Sequence, residues 1–199
     1  MFLFVVALPV LVGLAAGYLT GGAVTRLAGL RLRALWLPWV AALVQLAQYR
    51  AVTLRHLLQD RLHVPMLALV FALMCLWVAV NLPRRTRAIK TAGVLLLGGA
   101  ALNGVAIALN GRMPYSRTAA VAAGQHPGHL LSGPKNMPAG TSTHLAWLGD
   151  IIPLPPLHAV ASIGDVLLLA GVATVLVAGM HLRPTPHRAQ HAGPEPTPA

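Results

Sequence analysis

The chain has 199 residues, 56% of them hydrophobic and 10% charged, with 15 Lys and Arg against 4 Asp and Glu and a formal net charge of +11. Soluble domains carry about 25% charged residues, so a chain with less than half that share and a mean hydropathy of +0.69 lacks the polar surface to coat a globule. This predicts an integral membrane protein and argues against nucleic-acid binding, because the basic residues lie between long apolar runs, where they orient helices. The single cysteine, Cys75, excludes an internal disulfide and a Cys-based metal site.

A membrane-crossing helix needs about 20 apolar residues to span roughly 30 Å of hydrocarbon. Five stretches qualify, at about 2–20, 34–50, 64–82, 91–110 and 160–182. The predicted fold is all-α, a polytopic transmembrane bundle of five helices filling one domain over residues 1–182. The first run has no Lys or Arg ahead of it, so it reads as a retained helix rather than a cleaved signal. With the N-terminus outside, the inner segments hold nine basic residues (Arg26, Arg31, Arg33, Arg84, Arg85, Arg87, Lys90, Arg183, Arg188) and the outer ones six (Arg50, Arg55, Arg61, Arg112, Arg117, Lys135). The positive-inside rule therefore favours N-out and C-in. Tyr18, Trp36, Trp39 and Trp77 then fall near the inner boundary, and Tyr49, Tyr115 and Trp147 near the outer one.

Between the fourth and fifth runs lies a long outer loop, 111–159, which starts polar and Gly-rich and turns apolar at Leu145 to Leu148. Loops of this length are functional or disordered. Its stretch Ile151 to Leu157 is too apolar for water and too rich in proline for a helix, so it is expected at the membrane interface or packed on the bundle. Residues 183–199, with Pro184, Pro186, Pro194, Pro196 and Pro198, read as a disordered cytoplasmic tail.

Gly21-Gly22 after the first run, Gln45 in the second, the run from Asn110 to Pro114, Trp147 to Pro155, and Ser162 to Gly171 carry a family resemblance. Together they resemble the bacterial membrane family called domain of unknown function 5317, over nearly the whole chain except the tail. The resemblance implies a multi-pass fold in the bacterial inner membrane. It implies no reaction, cofactor or catalytic residue.

The acidic residues are the sharpest chemical signal. Two of the four, Asp150 and Asp165, each follow a glycine and stand 15 positions apart near the start of the fifth run. An ionisable group at membrane depth costs about 2.5–3.5 kcal/mol at a helix centre and is a functional candidate. A structural reading competes: Ser162-Ile163-Gly164-Asp165 has the spacing of a capping box, with the carboxylate bonding the exposed N–H of Ser162 at the positive helix end. Asp150 precedes Pro153 and Pro155 and serves equally as a turn residue or a ligand contact.

Amides form a second set. Asn103 and Asn110 share one helix face at a spacing of seven, and Gln45 and Gln48 share another at three. Interhelical amide bonds, about 0.6 kcal/mol each, are the ordinary explanation, yet all four fall toward the leaflet that holds the two aspartates. The pair His126 and His129 has neither a helix to align it nor further ligands for zinc. His144 stands within reach of Asp150, and Arg112 is the cation expected to pair with Asp150 or Asp165.

These features predict a non-enzymatic membrane module that binds a polar ligand, a lipid headgroup or a membrane partner. Its outward cluster comprises Gln45, Gln48, Asn103, Asn110, Arg112, His144, Asp150 and Asp165. The bilayer is its expected surrounding, and neither cofactor nor metal is expected. A small permease or ion pathway is a second reading, although polar residues thin out toward the inner face, where Asn81 is the main exception. A membrane-embedded enzyme using Asp150, Asp165 and His144 is a third.

Overall fold

A computed structural model describes residues 2–30, 32–50, 66–83, 85–126 and 136–182, without the side chains of 2–6, 45–50 and 66–68. The predicted tail 183–199, His129 and the side chains of Gln45, Gln48 and Tyr49 lie outside the described residues. The chain is mostly helical, with α1 (Phe2–Leu19), α2 (Trp36–Arg50), α3 (Met66–Asn81), α4 (Arg87–Asn110), a short α5 (Arg117–Ala122) and α6 (Ile163–Met180). All five apolar runs form helices, as their composition and lack of interior breakers other than Pro9 and Pro38 dictate.

Length separates the helices. α4 and α6, of 24 and 18 residues, are long and apolar enough to cross a membrane. α1 adds a third candidate only if it is counted with the 3₁₀ segment Val24–Leu30, from which it is bent by 112°. The 15 described residues of α2 rise only about 22 Å. α3 is apolar over Leu69–Asn81, which is shorter than a full span. The chain thus carries two to three candidate spans.

α6 lies at the centre of the packing, with α4 against one side and α1 against another; α3 packs on α4, and α2 mainly on α3. Close approach of α4 and α6 depends on missing side chains. A Cβ at Gly99 would sit 2.5 Å from the Gly164 carbonyl oxygen, and one at Gly171 would sit 2.7 Å from Leu96 Cγ. α1 ends in a Schellman motif: Gly21, at φ +83°, donates to the Tyr18 carbonyl at 3.0 Å, and Gly22 donates to the Gly17 carbonyl at 2.8 Å. The reversed chain is then tied to the end of α6, where Ala23 N–H donates to the Met180 carbonyl at 3.0 Å. The His181 ring lies 2.9 Å from the Val177 carbonyl and 3.0 Å from that of Thr20. Two carbonyl acceptors, Val177 first, favour the doubly protonated ring and raise its pKa.

Helix-only architecture holds for the bundle but not for the loop between α4 and α6, which contains two small sheets. β1 (Met113–Tyr115) pairs in parallel with β2 (Asn136–Pro138), and β3 (Ile152–Leu154) pairs antiparallel with β4 (Ala159–Ala161). The reversal into β1 uses Gly111 at φ +73°. The far edge of β1 is taken by Asp150, whose N–H donates to the Pro114 carbonyl at 2.8 Å and whose carbonyl accepts from Ser116 N–H at 2.9 Å. Three covalently distant segments therefore meet around β1. The Pro-rich stretch that was expected at the interface or on the bundle becomes the β3–β4 hairpin, packed against α5. Tyr115, expected near the outer boundary, is instead fully buried at 1% exposure. Ala106, Met113 and Leu148 form a buried cluster that seats this cap on the end of α4.

Candidate functional site

The polar residues that the sequence singles out fall into three local networks at the cap end. At the first, Ser162 caps α6: its Oγ accepts from Asp165 N–H at 3.0 Å, and Asp165 Oδ2 accepts from Ser162 N–H at 3.0 Å. This is the capping box that the spacing suggests. Asn103 of α4 closes it into a ring, donating through Nδ2 to Asp165 Oδ1 at 2.8 Å and accepting from Ser162 Oγ at 2.8 Å. Gly164 makes room, because any side chain there would run into the Asn103 amide. Ser162 is fully buried, so the ring satisfies polar groups that would otherwise carry a desolvation cost.

Asn110 forms the second network. As the last residue of α4, it donates to the Ala106 carbonyl at 2.8 Å and to the His144 carbonyl at 2.9 Å, while its Oδ1 accepts from His144 N–H at 2.9 Å. One side-chain amide thus pairs both backbone groups of His144, whose ring is exposed. Asn81, the last residue of α3, repeats the device at the opposite end of the bundle. It accepts from Arg33 N–H at 2.8 Å and donates to the carbonyls of Arg33 (3.0 Å) and Trp77 (2.9 Å).

The third network surrounds Asp150, which is buried at 7% exposure. Its Oδ2 accepts from Asn136 Nδ2 at 3.1 Å. Burial, and secondarily the negative charge of Asp165, push its pKa from 3.8 up to about 7. The two aspartates therefore sense each other, as their shared depth suggests, but neither forms a salt bridge among the described residues. Arg112 is exposed, and amide nitrogens occupy the positions at which a cation was expected. Gln45 and Gln48 lie on α2, which packs mainly on α3 rather than on α4 or α6.

Beside these networks the cap opens into a cavity of about 510 Å³. Its walls are Ser116, Arg117, Thr118, Ala139, Ala146, Trp147 and Ile151. The hydroxyls of Ser116 and Thr118 lie 2.8 Å apart, Arg117 is exposed, and Trp147 is 56% exposed. Sequence reading passes over these residues because Ser-Arg-Thr in a loop has no distinctive spacing. A partial signal was present for Asn136: Met137-Pro138 repeats the Met113-Pro114 dipeptide, and the two segments pair as β1 and β2.

The fold and this site define a mostly helical chain with two to three helices long and apolar enough to cross a membrane, closed at one end by a small β-containing cap. The chain belongs to the Family of unknown function (DUF5317), whose model matches residues 29–177. That match runs from the 3₁₀ segment through most of α6 and includes the whole cap. Comparison with curated proteins and with solved structures gave no match.

Proposed function

We propose that this protein is a membrane-embedded, non-enzymatic binding module whose outward cap takes a small polar ligand carrying a negative charge, of headgroup size. The single observation that carries this reading is the cap cavity. Small-molecule sites commonly enclose about 300–1,000 Å³ with a few convergent polar groups on an otherwise apolar lining, and this one combines the Arg117 cation with two hydroxyls and the flat face of Trp147. Asn103, Asn110, Asp150 and Asp165 support it from behind by holding the cap on α4 and α6. The enzyme reading is less favoured because Asp150, Asp165 and His144 are absent from the cavity lining and the aspartates are engaged with amides. A polar pathway through the bundle is less favoured because the α4–α6 contact below Asn103 is built from Gly99, Leu96, Leu168 and Gly171.

The exposed apolar faces of the long helices support a bilayer setting; Leu11, Leu43, Val94 and Leu109 are all at least half exposed. The asymmetry of nine basic residues against six supports an outside N-terminus and places the cap outside the cell membrane. Isothermal titration of the protein in nanodiscs with glycerol 3-phosphate tests the cavity. Binding that Arg117→Gln and Trp147→Ala each weaken at least about tenfold, the scale of one lost charge-assisted hydrogen bond, supports the reading. Binding unaffected by both substitutions, or no binding of this or other small anions, overturns it.

A further inference from the structure

The end of the bundle opposite the cap holds a second, differently built feature. A crevice of about 50 Å³ opens between α3, α4, α6 and the chain after the 3₁₀ segment. Its walls are apolar, from Leu30, Val78, Leu82, Ile89, Leu96 and Val175. Gly93 lies in its wall with no side chain to fill it; a Cβ there would touch Leu82 at 3.0 Å and Val78 at 3.1 Å.

Polar groups gather at the rim. Asn81 pins Arg33 to the end of α3 through the two backbone bonds described above. Arg85 Nε donates to the Asn81 carbonyl at 3.2 Å, which holds the guanidinium beside the crevice. Arg87 and Lys90, both exposed, follow in the first turn of α4. The acidic residues described, Asp150 and Asp165, belong to the cap end, about a full helix length away along α4 and α6. Positive charge at this rim is therefore balanced by no carboxylate among the described residues. The aromatic rings of Trp36 and Trp39, 62% and 73% exposed, stand at the start of α2, close in sequence to Arg33, as residues at a membrane–water boundary do.

We propose that this crevice is a binding site for an anionic phospholipid, with one acyl chain lying against the apolar slot and the phosphate held by Arg85 and its basic neighbours. The apolar slot alone would accept the chain of any lipid. The cations alone would attract any anionic surface. Their juxtaposition selects a molecule that has both parts, and Arg85 is the residue common to slot and rim. The proposal rests on the membrane reading given above but not on the cap cavity.

Native mass spectrometry of the full chain tests it, after exchange from detergent into mixed micelles containing equal phosphatidylglycerol and phosphatidylcholine. Each basic side chain near an anionic surface contributes roughly fivefold in affinity. The wild-type protein is therefore expected to retain phosphatidylglycerol with a preference of at least about fivefold, and to be stabilised by it against heat. Glycerol phosphate, which has the headgroup without the chain, should not reproduce the stabilisation. Arg85→Gln together with Arg87→Gln should erase the preference, and Ile89→Trp, which fills the slot, should reduce retention with the charges intact. Equal retention of the two lipids by the wild-type protein, or full stabilisation by glycerol phosphate, overturns the site without any variant having to fold. A preference that survives both variants overturns it too. Monodisperse behaviour in buffer without detergent or lipid would instead overturn the membrane reading beneath it.

Discussion

Asp150 is the residue at which burial and chemistry meet most directly. Its carboxyl is raised to about 7 in the folded cap, above its value in an unfolded chain. Its stabilising contribution is thus complete below about pH 4, the unfolded aspartate range, and is lost as pH rises through 7. Melting temperature in detergent should fall between pH 5 and pH 8, and Asp150→Asn, which keeps an oxygen for Asn136, should flatten that slope. A wild-type profile that rises over the same interval would contradict the buried-carboxyl account. The asparagines tell a complementary story at this scale. Asn81, Asn103 and Asn110 were visible as polar residues in apolar runs, but their partners, Arg33, Ser162 with Asp165, and His144, lie 34 to 62 residues away in sequence. Residue type announced a buried amide, and nothing local named what it would bond.

Helix α6 and its seat against α4 show how an element depends on both local and distant terms. The start of α6 was legible because a capping box is a four-residue pattern whose bonds close within the pattern itself. The small-residue contact was not legible, because a glycine in a membrane helix is common and only the neighbouring helix gives it a purpose. Gly164→Ala should destabilise the protein by about 1–3 kcal/mol, the usual cost of overpacking, since its new methyl would collide with the Asn103 amide. Gly104→Ala, in the same α4 helix as Asn103 but with nothing near its Cβ position, should be neutral or stabilising by about 0.5–1 kcal/mol. Thermal melts of the two variants in one detergent separate packing from propensity; equal effects would remove the argument for a glycine-dependent seat.

At the scale of the whole molecule, the arrangement places the ends of α1, α3 and α6 and the start of α4 together, with the cap at the other end. The N-out, C-in orientation proposed above can be checked by introducing single cysteines in a Cys75→Ala background. Ser142→Cys in the cap should react with an impermeant thiol reagent in intact cells, and Arg87→Cys at the start of α4 should react only after the membrane is opened. Labelling in the reverse order would invert the molecule and move the lipid crevice to the outer leaflet. The same pair reports on the membrane setting itself, because a chain lying wholly on one side would label equally at both sites.

Sequence alone determined where the helices run, the excess of positive charge and the cap of α6. Each of these follows from composition or from residues within one helical turn. The folded structure decided which helices reach a spanning length as continuous rods, and where α1 bends. It also decided that the Gly-Asp segment around Asp150 becomes the edge of a small sheet. Tyr115 was placed at a boundary by its aromatic character, yet it is buried because β1 is enclosed by β2 on one side and residue 150 on the other. The cavity beside it is assembled from residues 116–118, 139, 146–147 and 151. No periodicity connects those positions, because they are brought together by backbone bonds between segments that are neighbours only after folding.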